Sequence, residues 1–422
     1  MAVASSRTLD PAAFALGGKT PSRVIAPASL EELATAVKAC DDAGEALVLF
    51  GGGTLQGSGF APVRYDVAVS TLRLDKVLEY EFRDLTIALE CGLSVARLNA
   101  TLAERRQFVP LDAPQAKRSS VGGVLASGWS GPRRTAYGRP RDLVIGSTVV
   151  LPDGTVAKAG GMVVKNVTGY DMSKLWCGSL GTLAALARAN FKTLPLPETS
   201  RVALAPLPER TRRRAIEHVA ALNVEPTVAV ALHGFSEAGG HDSLEGRLFL
   251  MFEGSQMVVD RATRELRSAL GAAGVPETTL LDGTAAADAF ARLLDAYTAR
   301  LGQRSVTYRS SGLPGEVLDR CDAFERAAHG GKLGLETLVD ALGGDVYVRA
   351  STRTTAAFAA AAEDLDAALP DAGAQATIFN APEMLRDDLA MWGTSSRLDL
   401  QAEIKARFDP KGTLAPGRFE TG

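Results

Sequence analysis

Three segments of the chain combine glycines with hydroxyl residues at spacings that suit close approach of backbone to a ligand. The first is Gly51-Gly52-Gly53-Thr54-Leu55-Gln56, directly after the apolar run Ala46–Phe50. The second is Ser119-Ser120-Val121-Gly122-Gly123, continuing to Gly128, and the third is Gly178-Ser179-Leu180-Gly181-Thr182-Leu183. Successive backbone N–H groups free of side chains form a concave anion site, suited to a pyrophosphate. A nucleoside-triphosphate loop of the form G-x-x-x-x-G-K-[ST] does not occur. A G-x-G-x-x-G turn into a helix fits poorly, because Phe60-Ala61-Pro62 follows Gly59 and proline breaks a helix. Taken singly, each segment is equally well explained as a tight structural turn.

Other chemistry is sparse. Cys40, Cys91, Cys177 and Cys321 are far apart and form no C-x-x-C, so iron–sulfur and structural zinc sites are not expected. His218, His233, His241 and His329 form no metal-binding pair either, and no metal is assigned. If electrons leave through a cluster, a partner chain must hold it. The 422 residues carry 46 Lys+Arg against 49 Asp+Glu, a net charge of −3, which argues against non-specific nucleic-acid binding. With 46% hydrophobic and 23% charged residues the composition is that of a globular protein. No apolar run reaches the ~20 residues of a membrane span, and Met1 to Gly18 lack the pattern of a secretory leader. A cytoplasmic protein is expected.

The elements that would position these loops are legible. Arg23–Ala26 is extended, Ser29 and Glu32 form a capping box, and Leu33, Ala36, Val37 and Cys40 share one helical face. The unit closes as β-α-β and opens into the first glycine loop. Strands are expected at Asp66–Ser70, Val77–Tyr80 and Leu85–Glu90, then a helix capped by Ser94. Pro152-Asp153-Gly154 joins Leu143–Leu151 to Thr155–Lys158 as a hairpin. After Leu194 the glycine-rich motifs stop. Residues 201–270 and 305–380 each read as strands alternating with helices, including helices at Glu209–Leu222, Val258–Leu270 and Thr354–Leu369. Those two series suggest a mixed sheet with helices on one face.

In their order and flanks, the glycine segments resemble the FAD-binding domain of the vanillyl-alcohol oxidase/p-cresol methylhydroxylase (PCMH) flavoproteins. The resemblance rests on the GGGT loop, the Ser-Val-Gly-Gly segment, Arg141-Asp142, Pro152-Asp153-Gly154 and Lys165-Asn166-x-x-Gly169-Tyr170-Asp171. Gly178-x-x-Gly181-Thr182-Leu183, Phe408-Asp409-Pro410-x-Gly412 and Pro416-Gly417-Arg418 complete it. It implies an α+β fold: a PCMH-type FAD-binding domain of two α+β subdomains at 20–198, a mixed-sheet α+β cap at 199–395, and a C-terminal segment, 396–422, returning to the first domain. Within that superfamily the chain is most similar to the smaller FAD-binding subunit, the E subunit, of bacterial glycolate oxidase. The D-lactate and D-2-hydroxyglutarate dehydrogenases are competing relatives.

The resemblance implies that Gly51, Gly52, Gly53, Thr54, Leu55 and Gln56 cradle the pyrophosphate. It sets Pro114, Ser119, Ser120, Val121, Gly122 and Gly123 along the isoalloxazine and ribityl part. Gly128 would leave room for the cofactor, and Gly181 and Ala185 would approach the adenine. Lys165 either offsets charge on reduced flavin or pairs at the surface with Asp171, while Arg141 and Asp142 are expected to be a structural pair. Phe50 stands where many relatives carry arginine, and no histidine, tyrosine or cysteine stands in the first loop, so FAD is expected to be non-covalent. The histidine-rich stretch of single-chain hydroxyacid dehydrogenases is missing; His329, near Gly330-Gly331, has no companion, and no catalytic base is assigned. The implied partners are a second FAD-binding subunit and an iron–sulfur subunit, with a small 2-hydroxy acid as substrate. Association with the inner membrane would come only through that complex. Two other functions stay open: a self-sufficient D-2-hydroxyacid dehydrogenase, and a non-catalytic assembly subunit.

Overall fold

The computed structural model describes residues 9–162, 169–235, 238, 246–275, 277–299, 305–331, 333–352, 362, 363, 365, 367, 369, 375–382, 386, 389, 391–393 and 398–419. The helix Leu30–Ala43 begins where Ser29 accepts the Glu32 N–H and Glu32 reaches back to the Ala28 N–H. It buries Leu33, Val37 and Cys40 completely and ends on the left-handed Gly44. This helix links the outer strands of a small parallel sheet, in spatial order Arg23–Ile25, Val67–Ser70, Leu47–Phe50. Leu414, from the far end of the chain, bridges to Leu47 and extends that sheet.

A second sheet is antiparallel, in the order Val77–Glu81, Thr86–Glu90, Ala185–Lys192, Val144–Val150, Val156–Gly160. Its last pair is the hairpin expected from Pro-Asp-Gly, with Thr155 donating to the Asp153 carboxylate inside the turn.

Residues 199–380 supply an eight-stranded sheet. Its spatial order is Thr279–Asp282, Thr199–Leu207, Gly246–Gly254, Val228–His233, Gly334–Asp340, Asp345–Ser351, Ser305–Ser311, Thr377–Asn380. Each half of four strands follows the same path, and the halves join edge to edge through Val228–His233 and Gly334–Asp340. Every pairing in it is antiparallel, in place of the mixed sheet suggested by alternating strands and helices. The α+β class holds. The difference arises at Gly334–Asp340, a strand absent from the sequence reading, whose short turn to Asp345 makes an antiparallel hairpin between the helix and the next expected strand.

Strand alternation gives this sheet two buried faces. Ala229 and Ala231 face a core shared with helices Arg212–Ala220, Gln256–Ala272 and Val317–Gly331. Val228, Val230 and Leu232 face the other way, into a core with Leu111, Ala113 and Trp129 of the first half of the chain. Helix Gly283–Tyr297 lies on that second face, burying Ala286, Leu293 and Ala296 there, so the helices are not confined to one side. Most of the expected helix Thr354–Leu369 falls outside the described residues.

Ion pairs reinforce the junction. Arg134 reaches Asp340 at 3.0 Å and Asp345 at 2.7 Å, and Arg309 also pairs with Asp345 at 2.8 Å. Nearby, Arg133 bridges Asp112 at 2.7 Å to Glu253 at 3.4 Å, with the Tyr137 hydroxyl donating to Glu253.

Candidate cofactor site

The glycine loop leaves the C-terminal end of strand Leu47–Phe50, next to the chain crossing from Ser70 to Thr71, where Thr71 donates both N–H and hydroxyl to the Phe50 carbonyl. Its first residues lie directly against the Ser119–Gly123 segment. A Cβ on Gly51 would stand 1.9 Å from Ser120 Oγ, and one on Gly52 would stand 1.8 Å from the Arg118 carbonyl oxygen. Glycine is thus required by backbone-to-backbone approach at Gly52. Gly53 differs: its φ of +69° is left-handed, but a Cβ there would meet open space.

Side chains weld the two loops. Ser119 Oγ donates to the Pro114 carbonyl at 2.5 Å, so the 2.6 Å contact between the hydroxyls of Thr54 and Ser119 has Thr54 as donor. Arg118 donates to the Gly52 carbonyl and to Gln115 Oε1. Ser120 caps the helix Val121–Ser127, accepting the Gly123 N–H.

Together these segments line a cleft of about 680 Å³ whose walls include Gly51 to Gln56, Ser120, Gly122, Gly123, Leu180 and Gly181. A wider cavity of about 1540 Å³ shares Gly51 to Gln56 and is bounded beyond them by Phe14, Arg118, Thr298, Phe379 and Asn380. Ten of the fifteen sequence-derived site residues, Gly51, Gly52, Gly53, Thr54, Leu55, Gln56, Ser120, Gly122, Gly123 and Gly181, therefore meet on one cleft. The other five are placed differently. Pro114 and Ser119 stand behind the wall as partners of each other. Val121 and Ala185 are fully buried in apolar cores. Gly128 ends its helix and packs against Gly178, where a Cβ would lie 2.9 Å from the Gly178 Cα.

Arg418 was absent from the sequence-derived set and lines the same cleft. It is 2% exposed, and its guanidinium donates to the carbonyls of Gln56, Ser58 and Phe60 and to Gln56 Oε1. Burial, with repulsion from Arg386, lowers its pKa to about 9. Arg386, 4% exposed, donates to the carbonyls of Ala381 and Gln56. The only sequence signal for Arg418 was its place in Pro416-Gly417-Arg418.

Of the remaining candidates, Lys165 lies outside the described residues. Tyr170 is 92% exposed, and Asp171 pairs with Lys174 at 3.1 Å. Arg141 and Asp142 form a half-exposed 3.8 Å pair. No histidine among the described residues lines either cavity; His233 lines a separate one with Glu209 and Glu325. The His329 side chain and all of His241 lie outside the description. Cys40, Cys91 and Cys321 are buried, and desolvation pushes the Cys177 and Cys321 thiols up to about 12, away from thiolate chemistry. Among the described residues no three His, Cys, Asp or Glu side chains converge to hold a metal, and no helix is long and apolar enough to cross a membrane.

The arrangement fits FAD. Glycines leave the wall free of side chains, and a buried cation bonded to neutral oxygens of the same loop lines the cleft, which is chemistry suited to a diphosphate. Residues 21–160 match the FAD binding domain family. The chain is 26% identical to glycolate oxidase subunit GlcD of Bacillus subtilis (strain 168), over 94% of this chain and 89% of that protein. It is 31% identical to glycolate oxidase subunit GlcE of Escherichia coli (strain K12), over 45% of this chain and 51% of that protein. The chain thus aligns with about half the length of the latter. Among solved structures, p-cresol methylhydroxylase with substrate bound superimposes with a TM-score of 0.73 at 16% identity, covering 95% of this chain and 89% of that one. The fold is that of the PCMH-type flavoproteins.

Proposed function

We propose, from the match of residues 21–160 to the FAD binding domain family, that the chain is the FAD-binding subunit of a glycolate oxidase complex, converting glycolate to glyoxylate. Electrons would pass to a second FAD-binding subunit and an iron–sulfur subunit, in a cytoplasmic assembly that meets the inner membrane only through its partners. The observation that carries this reading is the paired cavity. The glycine loop forms a wall common to both, and residues 298 and 379–382 of the cap bound the wider one. Similarity to glycolate oxidase subunits supports the substrate class.

FAD supplies the two-electron acceptor when bound. The chain's own contributions are mechanical and electrostatic. Gly51 to Gln56 and Ser120 to Gly123 would hold the diphosphate and ribityl regions, with Pro114 and Ser119 bracing that wall and Gly181 approaching the adenine. From the cap, Phe379 and Asn380 would close the ring end and limit water. Abstraction of a hydroxyl proton needs a base within hydrogen-bond reach. Among the described residues no histidine stands at either cavity to provide one, which favours a partner-dependent subunit over a self-sufficient D-2-hydroxyacid dehydrogenase.

The lone chain is therefore expected to reduce dye with glycolate at least ~10²-fold more slowly per flavin than a co-purified complex, the usual worth of base catalysis. Equal specific activities would reject the subunit reading in favour of an independent dehydrogenase. FAD is expected to be held without a covalent bond, since the loop Gly51–Gln56 offers only glycine, threonine, leucine and glutamine. Acid precipitation should release all yellow colour, and colour left in the pellet would contradict it.

A further inference from the structure

Arg418 is the cation among the residues lining the narrower cleft, and it is buried against the wall and bonded to neutral oxygens. Its neighbours on the loop are three backbone carbonyls and one amide oxygen. Among the described residues no carboxylate lies within ion-pair distance of it, whereas Arg133, Arg134, Arg212 and Arg309 are all neutralised by acids. A guanidinium removed from water without a counter-charge is costly, and chains retain one where an anion completes the site. Arg118 is a weaker candidate, because it is exposed and its bonds are to Gly52 and Gln115 at the loop surface.

We propose that Arg418 is the counter-charge of the cofactor's diphosphate, and that it makes the cleft selective for dinucleotide flavin over flavin lacking phosphate. The proposal rests on the assignment of FAD to this cleft. Two features of the chain serve it. Arg418 holds the carbonyls of Gln56, Ser58 and Phe60, and its own carbonyl accepts the Phe60 N–H, so the cation and the loop are fixed to each other. The segment carrying Arg418 is itself anchored: Leu47 donates to the Thr413 carbonyl, Ala415 to the Leu47 carbonyl, and Asp409 accepts from the Thr413 and Leu414 N–H groups. The charge therefore stays in place and is not carried on a free tail.

The experiment measures binding of FAD and of riboflavin to deflavinated protein by quenching of flavin fluorescence, for wild type, Arg418→Met and Arg418→Lys. Arg418→Met is expected to weaken FAD by about 10- to 100-fold, the range for a hydrogen bond to a charged group, and to leave riboflavin within about 3-fold. Arg418→Lys keeps the charge with fewer donors and should recover most of the FAD affinity. If Met weakens both flavins equally, or neither, Arg418 only props the loop and the proposal fails. Should Arg418→Met not fold, the lysine variant decides: FAD affinity within about 3-fold of wild type supports the counter-charge, and a loss of more than 10-fold overturns it. A wild-type protein unable to take up FAD would overturn the cofactor assignment and this proposal with it. A yellow wild type beside an equally tight Arg418→Met overturns this proposal alone.

Discussion

Gly52→Val protein is expected to purify colourless and to stay colourless when incubated with FAD. The valine Cβ would lie 1.8 Å from the Arg118 carbonyl oxygen and 2.5 Å from its carbonyl carbon, so the two loops must part. Both belong to the wall of the cleft, and parting them breaks the Thr54–Ser119–Pro114 hydrogen-bond chain as well. Gly53→Val is the instructive comparison. With no atom within 4 Å of its Cβ, it incurs only the left-handed backbone cost, of order 1–3 kcal/mol. Flavin content, read as the ratio of absorbance at 450 and 280 nm, should fall to background in Gly52→Val and only partly in Gly53→Val. Full occupancy in Gly52→Val would move the diphosphate site elsewhere.

The second large effect concerns the junction of the two halves, where neighbouring acids should behave oppositely. Both are desolvated, which raises their pKa values. For Asp345 the guanidinium groups of Arg309 and Arg134 outweigh burial and hold its carboxyl below the usual range. For Asp340 burial wins and pushes it up to about 6, even with Arg134 at 3.0 Å, because that cation is shared with Asp345. Asp345→Ala should therefore cost about 3–5 kcal/mol at pH 7, the usual penalty for breaking a buried pair, whereas Asp340→Asn should cost about 1 kcal/mol or less.

Their pH dependences also differ in sign. Asp345 stabilises the fold above the unfolded carboxylate pKa and loses that contribution as pH falls. Asp340, whose folded pKa is raised, takes up a proton on folding; its contribution is greatest below about pH 4 and is lost as pH rises through about 6. Urea denaturation at pH 5 and pH 7 separates them. Wild type should gain on Asp340→Asn at the lower pH, and an unchanged difference would show that Asp340 is ionised throughout.

What sequence could and could not convey follows from the range of the interactions. The capped helix after Ser29, the strand into the glycine loop and the Pro-Asp-Gly hairpin are specified by neighbours within a few positions, and they appear as expected. The helix Gly283–Tyr297 and the strand Gly334–Asp340 were not recognised. The helix is alanine-rich and, at Asp282, has no side-chain capping bond. The strand carries Glu336, whose carboxylate is held by Arg349 on the next strand. Of the ten residues lining the cleft, the six glycines and Ser120 were legible because their identity records close backbone approach, and Thr54, Leu55 and Gln56 because they follow in the same loop. Arg418 was not, since its value depends on burial and on carbonyls some 360 positions earlier. Gly128 and Ala185 carry the same residue types as true lining positions but serve packing, a distinction that only three-dimensional neighbours make.

The second face of the large sheet has a consequence for how this protein can move and be dissected. Val228, Val230, Leu232 and Met251 are buried in the same apolar interior as Leu111, Val124 and Trp129, with helix Gly283–Tyr297 between the layers. A hinge between the halves would have to expose that interior to water at roughly 25 cal/mol for each Å² of apolar surface. On the proposed reading, substrate would reach the flavin through the wider cavity that Phe379 and Asn380 help to line. Cutting near residue 198 would divide the chain between sheets while splitting one interior, so neither piece would keep that interior closed by itself.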